Sequence, residues 1–153
     1  MNTAVELAEV DLFKGLSPEG IASFAGIARE AKTEPGQVVY ESGGAGDSLY
    51  VIVEGTFAVR VKDESGDEVD VANLKKGSYF GEMEVIGGMN RTAAVVSLGD
   101  GRCYRFDASE LLALLKRDNA LAAHFYRQVA RELIKRLKNT TRDMGYFKAR
   151  AAT

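Results

Sequence analysis

The chain has 153 residues, 46% of them hydrophobic and 27% charged, with a formal net charge of −2. That balance belongs to one folded domain rather than a disordered chain, and no apolar run approaches the roughly 18 residues that cross a bilayer. A single cysteine, Cys103, excludes an internal disulfide, and the N-terminus lacks the basic-then-apolar order of a secretory signal, so a cytoplasmic setting is expected.

The opening third reads as helical. "VELAEVDLF" puts Val5, Leu7, Ala8, Leu12 and Phe13 near one face. "LSPEGIASFAGIARE" offers Ser17 as a cap and Pro18 at the first helical position, and Ile21, Phe24, Ala25 and Ile27 form its stripe. Pro35 and Gly36 then turn the chain.

Strands are expected next. "QVVYES" is rich in β-formers, "GGAGD" is a turn from Gly43 to Asp47, and "SLYVIVEG" reads as a buried strand ending at Gly55. In "TFAVRVK", Phe57, Val59 and Val61 alternate with Arg60 and Lys62, and "DESGDE" is a hairpin turn into "VDVANL". "TAAVVSL" and "RCYRF" follow around the turn at Gly99 to Gly101, with Cys103 read as a small buried strand residue. Six or seven short strands near ten residues apart favour a barrel or sandwich. No alternation of strand and helix points to a parallel nucleotide-binding sheet.

Helix returns at the end. Asp107 or Ser109 caps "ELLALLKR", and a second helix runs from about Ala120 to at least Asn139. Its apolar positions Phe125, Val129, Leu133 and Leu137, continuing to Thr140 and Met144, form a seam that covers a sheet or pairs with another helix. From Lys116 onward ten Lys and Arg face three Asp and Glu, whereas the first 115 residues hold ten and nineteen. No aromatic-basic interleaving or recognition-helix pattern accompanies this charge, so nucleic acid is not the expected partner. His124 sits among charged neighbours on the helix and reads as partly exposed, and Tyr126 as helix packing. No nucleophile-base set and no metal-ligand spacing stands out, so neither an enzyme nor a metal site is expected.

The stretch "YFGEMEVIGGMNRTAAVV", residues 79 to 96, is unlike ordinary core or surface. Gly81 and Glu82 follow apolar Tyr79 and Phe80, where a strand ends and the chain turns. A tight turn into a short helix points backbone N–H groups at one spot, which favours an anion. Arg91 brings a fork that matches phosphate oxygens. A carboxylate beside that anion makes sense when the ligand also carries a hydroxyl, as a sugar phosphate does. Read instead without a ligand, Glu82 and Arg91 are an internal salt bridge holding a turn, and Gly87 and Gly88 are turn glycines.

"FGE", eight residues, then "RTAA" resembles the phosphate-binding cassette of cyclic-nucleotide-binding domains, the family of catabolite activators and protein kinase A regulatory subunits. "VDLFKGLSPEGIASFA" resembles that family's N-terminal helical motif, "PGQVVYESGGAGDSLYVIVEGTFAVRV" its first strands, and "AAHFYRQVARELIKRLKNT" the long helix of bacterial members. The resemblance covers about residues 10 to 140. It implies an α+β fold: N-terminal helices over residues 1–34, an antiparallel β-barrel of double-stranded β-helix or jelly-roll type over 35–107 with its cassette at 80–93, and a hinge helix plus long helix over 108–153.

The resemblance also implies roles. Glu82 accepts the ribose 2′-hydroxyl and Arg91 pairs with the cyclic phosphate, so that losing Arg91 costs about 2–3 kcal/mol of binding. Phe80, Gly81, Met83, Glu84 and Ala93 line the phosphate end, and a hydroxyl at Thr92 reaches a guanine amino group, which keeps cGMP open beside cAMP. A residue of the long helix caps the base, with Arg131 and Lys135 the candidates. Two positions depart from the pattern: Glu84 stands where the family has a small residue, and Asn90 where it has proline. Residues i and i+2 of a helical turn point to different sides, so Glu84 is expected to face solvent with only its N–H toward the ligand.

The expected function is a regulatory module without catalysis, in which ligand binding reorganises residues 81 to 91, moves the hinge helix at 108–117 and closes the long helix over the base. It acts in signal transduction through an unidentified effector protein, with a homodimer through the C-terminal helix as a further expectation. The alternative is a fold that has lost its ligand and serves as a dimerisation or partner-docking module. A DNA-binding regulator of the catabolite-activator kind requires a helix-turn-helix beyond Thr153.

Overall fold

The structure, a computed structural model, describes residues 2–151. Met1 and the last two residues of the expected 108–153 segment lie outside the described residues. The chain forms α1 (Thr3–Leu7), a 3-10 turn (Asp11–Phe13), α2 (Pro18–Ala25), β1 (Ala28–Thr33), β2 (Val38–Tyr40), β3 (Ser48–Glu54), β4 (Phe57–Lys62), β5 (Glu68–Leu74) and β6 (Tyr79–Phe80). It continues through α3 (Glu82–Gly87), β7 (Ala94–Ser97), β8 (Gly101–Asp107), α4 (Ala108–Arg117) and α5 (Asn119–Ala151). The α+β order agrees with the sequence reading. The expected barrel is not closed by hydrogen bonds among the described residues. The strands instead form two antiparallel four-stranded sheets, in orders β1-β8-β3-β6 and β2-β7-β4-β5.

The sheet β1-β8-β3-β6 is covered on both faces, and side chains alternating along a strand supply both cores. In β3, Leu49, Val51 and Val53 join the helices in one cluster, while Tyr50 and Ile52 turn toward the other sheet. Strand β8 does the same, with Tyr104 and Phe106 on the helical side and Cys103 between the sheets. Burial pushes the Cys103 thiol up to about 12, so it remains protonated and unreactive. Phe24 centres the helical core, 4.7 Å from Phe13 and 6.4 Å from both Phe106 and Phe125 between ring centroids.

Helix ends follow local chemistry. Ser17 Oγ accepts from the Gly20 N–H at 3.1 Å with Pro18 first in the helix, and Asp107 Oδ1 accepts from the N–H groups of Ser109 and Glu110 at 3.0 and 3.3 Å. Three stretches depart from the sequence reading. Helix α2 ends at Ala25, and Ala28–Thr33 is a strand, not helix, pairing with β8 from Ala28–Phe106 to Thr33–Gly101. It is an edge strand held by ion pairs, Arg29 to Glu110 at 2.7 Å and Glu30 to Arg102 at 3.3 Å, so no apolar alternation marks it. Val5 is exposed rather than in the core, because α1 is a single short helix packed through Leu7. A bulge between Val59 and Arg60 interrupts the alternation read in β4, and Ala58 is buried beside Phe57.

A polar tie fixes α1 to the sheet. The Glu6 carboxylate accepts from Arg102 and, at 2.7 Å, from the Tyr104 hydroxyl. The Arg102 hydrogen bond is the main reason the Glu6 carboxyl falls to about 2.

Helix α5 packs on the core through Phe125 and Val129. The same seam then leaves the body, with Leu133, Ile134, Leu137 and Met144 exposed. His124 is half-buried near Gly15, with no partner for its Nε2, and Tyr126 packs edge-on to Phe125 at 5.4 Å. No helix among the described residues is long and apolar enough to cross a membrane.

Candidate ligand site

Strand β6 is anchored by pairing Tyr50 with Phe80 and Val51 with Tyr79. The Phe80 ring points between the sheets, stacked on Tyr50 at 5.1 Å and close to Phe57 at 5.6 Å. Gly81 follows at φ 89°, where a side chain is strained. A Cβ there would also lie 2.8 Å from both Arg91 Nη1 and the Ser48 carbonyl. Only glycine lets the chain turn sharply here into α3, which ends at Gly88, φ 63°.

The turn and α3 floor a cavity of about 390 Å3, within the size range of small-molecule sites. Tyr40, Val59, Leu74, Phe80 and Val95 give it an apolar wall, and Gly81, Glu82, Met83, Glu84, Thr92 and Ala93 line the cassette side. From α5 above come Arg136, Asn139 and Thr140. The expected cassette residues thus gather at one place, except Arg91, which sits behind them. Thr92 is exposed at the mouth.

Glu82 is 3% exposed. Its Oε1 accepts from Arg136 Nη1 at 3.3 Å, and burial, the dominant influence, raises the carboxyl above its ordinary value. An internal Glu82–Arg91 bridge is not what forms: each residue has a different partner. Arg136, not one of the two residues expected to cap the base, is the cation that α5 brings to the cavity, and Arg131 and Lys135 are not there. They line a separate depression with Asp11, Tyr79 and Gln128. Helical phase explains this, since Arg136 and Thr140, four apart, share one stripe, and Arg131 and Lys135, also four apart, share another about a quarter-turn round the helix. The seating of Phe125 and Val129 in the core fixes that phase, and sequence spacing alone does not separate Arg136 from Lys135.

Glu84 corrects a second expectation. It is 5% exposed rather than solvent-facing, and its Oε1 accepts from Arg91 Nη1 at 3.1 Å. The two sides of α3 do separate Glu82 from Glu84, but the far side meets the loop Gly43–Asp47 instead of water. A Cβ on Gly46 would fall 2.5 Å from the Glu84 Cβ. Met83 holds the exposed position instead.

Arg91 is buried and its head is enclosed. Nη1 also donates to the Gly81 carbonyl at 3.2 Å, Nη2 donates to the Ser48 carbonyl at 2.5 Å and to Ser48 Oγ at 3.2 Å, and Nε has no partner. The guanidinium carbon lies 3.8 Å from the centroid of the Tyr40 ring, a cation–π contact. Main-chain bonds between Arg91 and Gly43 and Gly44, each 2.8 Å, tie this segment to the glycine loop. Ser48 and Tyr40 carry no charge that marks them in the sequence as partners of Arg91. Among the described residues no His, Cys, Asp and Glu cluster is arranged to hold a metal ion.

The profile of the cyclic nucleotide-binding domain matches residues 30–118, more than half of the chain. The chain belongs to this family. A cyclic nucleotide-binding domain relative, the cAMP-dependent protein kinase regulatory subunit of Mucor circinelloides f. lusitanicus, is 36% identical over 97 residues, covering 63% of this chain and 22% of that protein. The crystal structure of Thermus thermophilus catabolite activator protein superposes with a TM-score of 0.79 at 24% identity, over 90% of this chain and 63% of that one, a likeness of fold. The regulatory subunit of a cAMP-independent protein kinase A from Trypanosoma cruzi bound to guanosine gives 0.68 at 25% identity, over 76% of this chain and 44% of that one. The chain spans between 18% and 28% of the length of these curated relatives.

Proposed function

We propose that this domain is a non-catalytic regulatory module whose cavity binds a purine ribonucleotide or ribonucleoside and passes that binding to α5. cAMP and cGMP are the ligands its resemblance implies, and the guanosine held by the Trypanosoma cruzi relative supports counting nucleosides with them. One observation carries the reading. Glu82 is a buried carboxylate facing a cavity, and its side-chain partner is a cation on the long helix that closes that cavity. A ribose hydroxyl donating to Glu82 competes with or joins Arg136, so occupancy of the floor alters what holds the roof. The base lies against Tyr40, Val59 and Val95, with Asn139 and Thr140 within the same cavity. Ligand shifts the position of α5 only by its difference in affinity for the two arrangements.

Such a module acts in the cytoplasm on an effector protein, with homodimerisation through α5 as a further element. The exposed Leu133, Ile134 and Leu137 favour a second reading, in which α5 docks on a second copy or partner whatever the cavity holds.

Calorimetric titration of wild type and Glu82→Gln with cAMP, cGMP, adenosine and guanosine tests the first reading. The amide keeps the shape but loses the charged acceptor, a difference of about 1.5–3 kcal/mol for a hydrogen bond to a charged group. At least one ligand is expected to bind wild type and to weaken roughly 10- to 100-fold in Glu82→Gln. Equal affinity in the two proteins removes Glu82 from the site.

A further inference from the structure

We propose that the cavity selects an uncharged ribonucleoside over its 3′,5′-cyclic phosphate, because Glu84 already fills the place of the anion at Arg91. The inference rests on the cavity being a ribose site.

Two terminal guanidinium nitrogens carry four hydrogens. Those of Arg91 have four acceptors in range: the Gly81 carbonyl, Glu84 Oε1, and the Ser48 carbonyl and hydroxyl. What remains is the Nε hydrogen, which is buried. Arg91 therefore has no fork left for phosphate oxygens.

Charge balance agrees with the geometry. Arg91 pairs with Glu84 at 3.1 Å, Arg136 with Glu82 at 3.3 Å, and Arg105 approaches Asp47 at 3.9 Å, with Asp47 also 4.0 Å from Arg91. Arg136 also pairs with Glu132 at 3.4 Å, so none of the three cations is left without a carboxylate. A phosphodiester adds a negative charge with no uncompensated cation to receive it, in surroundings where Glu82 and Glu84 are both withdrawn from water. The backbone of Glu84 is held in place, since it is packed against Gly46 and the Met89 N–H donates to its carbonyl at 3.1 Å, which keeps the carboxylate within side-chain reach of Arg91.

Hydrogen-bond chemistry then favours the nucleoside. Glu82 and Glu84 both line the cavity, and carboxylates only accept. A 3′,5′-cyclic nucleotide has esterified two of its ribose oxygens and keeps one hydroxyl donor, the 2′. A nucleoside keeps its 2′, 3′ and 5′ hydroxyls, offers more donors to the Glu82 carboxylate, and brings no charge. Arg91 engages one oxygen of Glu84. Its role becomes that of a positioning residue, which holds the Glu84 carboxylate where a ligand anion would otherwise pair with the guanidinium.

The test is competition calorimetry on the full chain with guanosine against cGMP and adenosine against cAMP, for wild type and Glu84→Ala. Wild type is expected to bind at least one nucleoside tenfold or more tightly than its cyclic phosphate. Glu84→Ala, which restores a small residue and frees Arg91, is expected to reverse that ratio by tenfold or more. If Glu84→Ala melts below the working temperature, Glu84→Gln takes its place, since it removes the charge and keeps the volume. Tighter binding of the cyclic phosphate by wild type, or a ratio unchanged in the variant, overturns the selectivity while leaving the cavity reading intact. A wild-type protein that binds none of the four ligands overturns both.

Discussion

Arg91→Ala is expected to lower the thermal midpoint of the ligand-free protein by on the order of 10 °C, from a loss of about 3–5 kcal/mol. The size follows from what is left behind rather than from the worth of the ion pair itself. Paired charges in an interior roughly balance their desolvation, but removing one partner strands the other. Here the stranded groups are Glu84, 5% exposed, and the Ser48 carbonyl that the guanidinium satisfied, while the Gly81 carbonyl keeps only the Val85 N–H at 3.3 Å. The ring of Tyr40 loses its cation as well. Differential scanning fluorimetry on Arg91→Ala, Glu84→Ala and the double variant checks this. The double variant is expected to be more stable than Arg91→Ala alone, because the buried anion goes with its partner. A midpoint unchanged by Arg91→Ala means that water already reaches Glu84, and it removes the basis for treating Arg91 as an internal counter-ion.

The second large effect lies in the helical core. Phe24→Ala is expected to cost about 3–5 kcal/mol. Phe24 is fully buried, and its ring is the one that α2 inserts between Phe13, Phe106 and Phe125. Those three rings come from the 3-10 turn, β8 and α5, so the cavity left by alanine opens where the helices grip the sheet and cannot be closed by one side chain. Chemical denaturation is the measurement, since the midpoint moves while the slope holds if the variant remains two-state. A cost under about 1 kcal/mol would show that α5 settles into the space, and hence that its seat on the body is loose.

Much of this architecture is written locally in the chain. Ser17 with Pro18, and Asp107 ahead of Ser109 and Glu110, are helix starts whose chemistry needs no tertiary partner. The uninterrupted run Leu49 to Val53 announces a strand buried on both faces, and the spacing from Gly81 to Arg91 announces the cassette and with it the family. What escaped is set by contacts across the fold. Strand β1 is polar because its neighbours are α4 and Arg102, not a core, so "AREAKT" carries no period. The side to which Glu84 points depends on the loop Gly43–Asp47, forty residues upstream, which covers the flank of α3 that helical geometry alone assigns to water. Arg136 follows directly on Lys135, about a quarter-turn round α5, and the register that separates the two is fixed by how Phe125 and Val129 seat in the core.

The central claim is that a ribose-bearing ligand sits between α3 and α5. The most direct measurement is a two-dimensional NMR titration of the isotope-labelled full chain with guanosine and, separately, cGMP. The predicted result is saturable shifts concentrated on the amides of Gly81 to Glu84, Thr92 and Ala93, with accompanying shifts at Arg136, Asn139 and Thr140 across the cavity. Shifts confined to other faces, or none with either ligand, would contradict it and leave the exposed seam of α5 as the working surface of the protein.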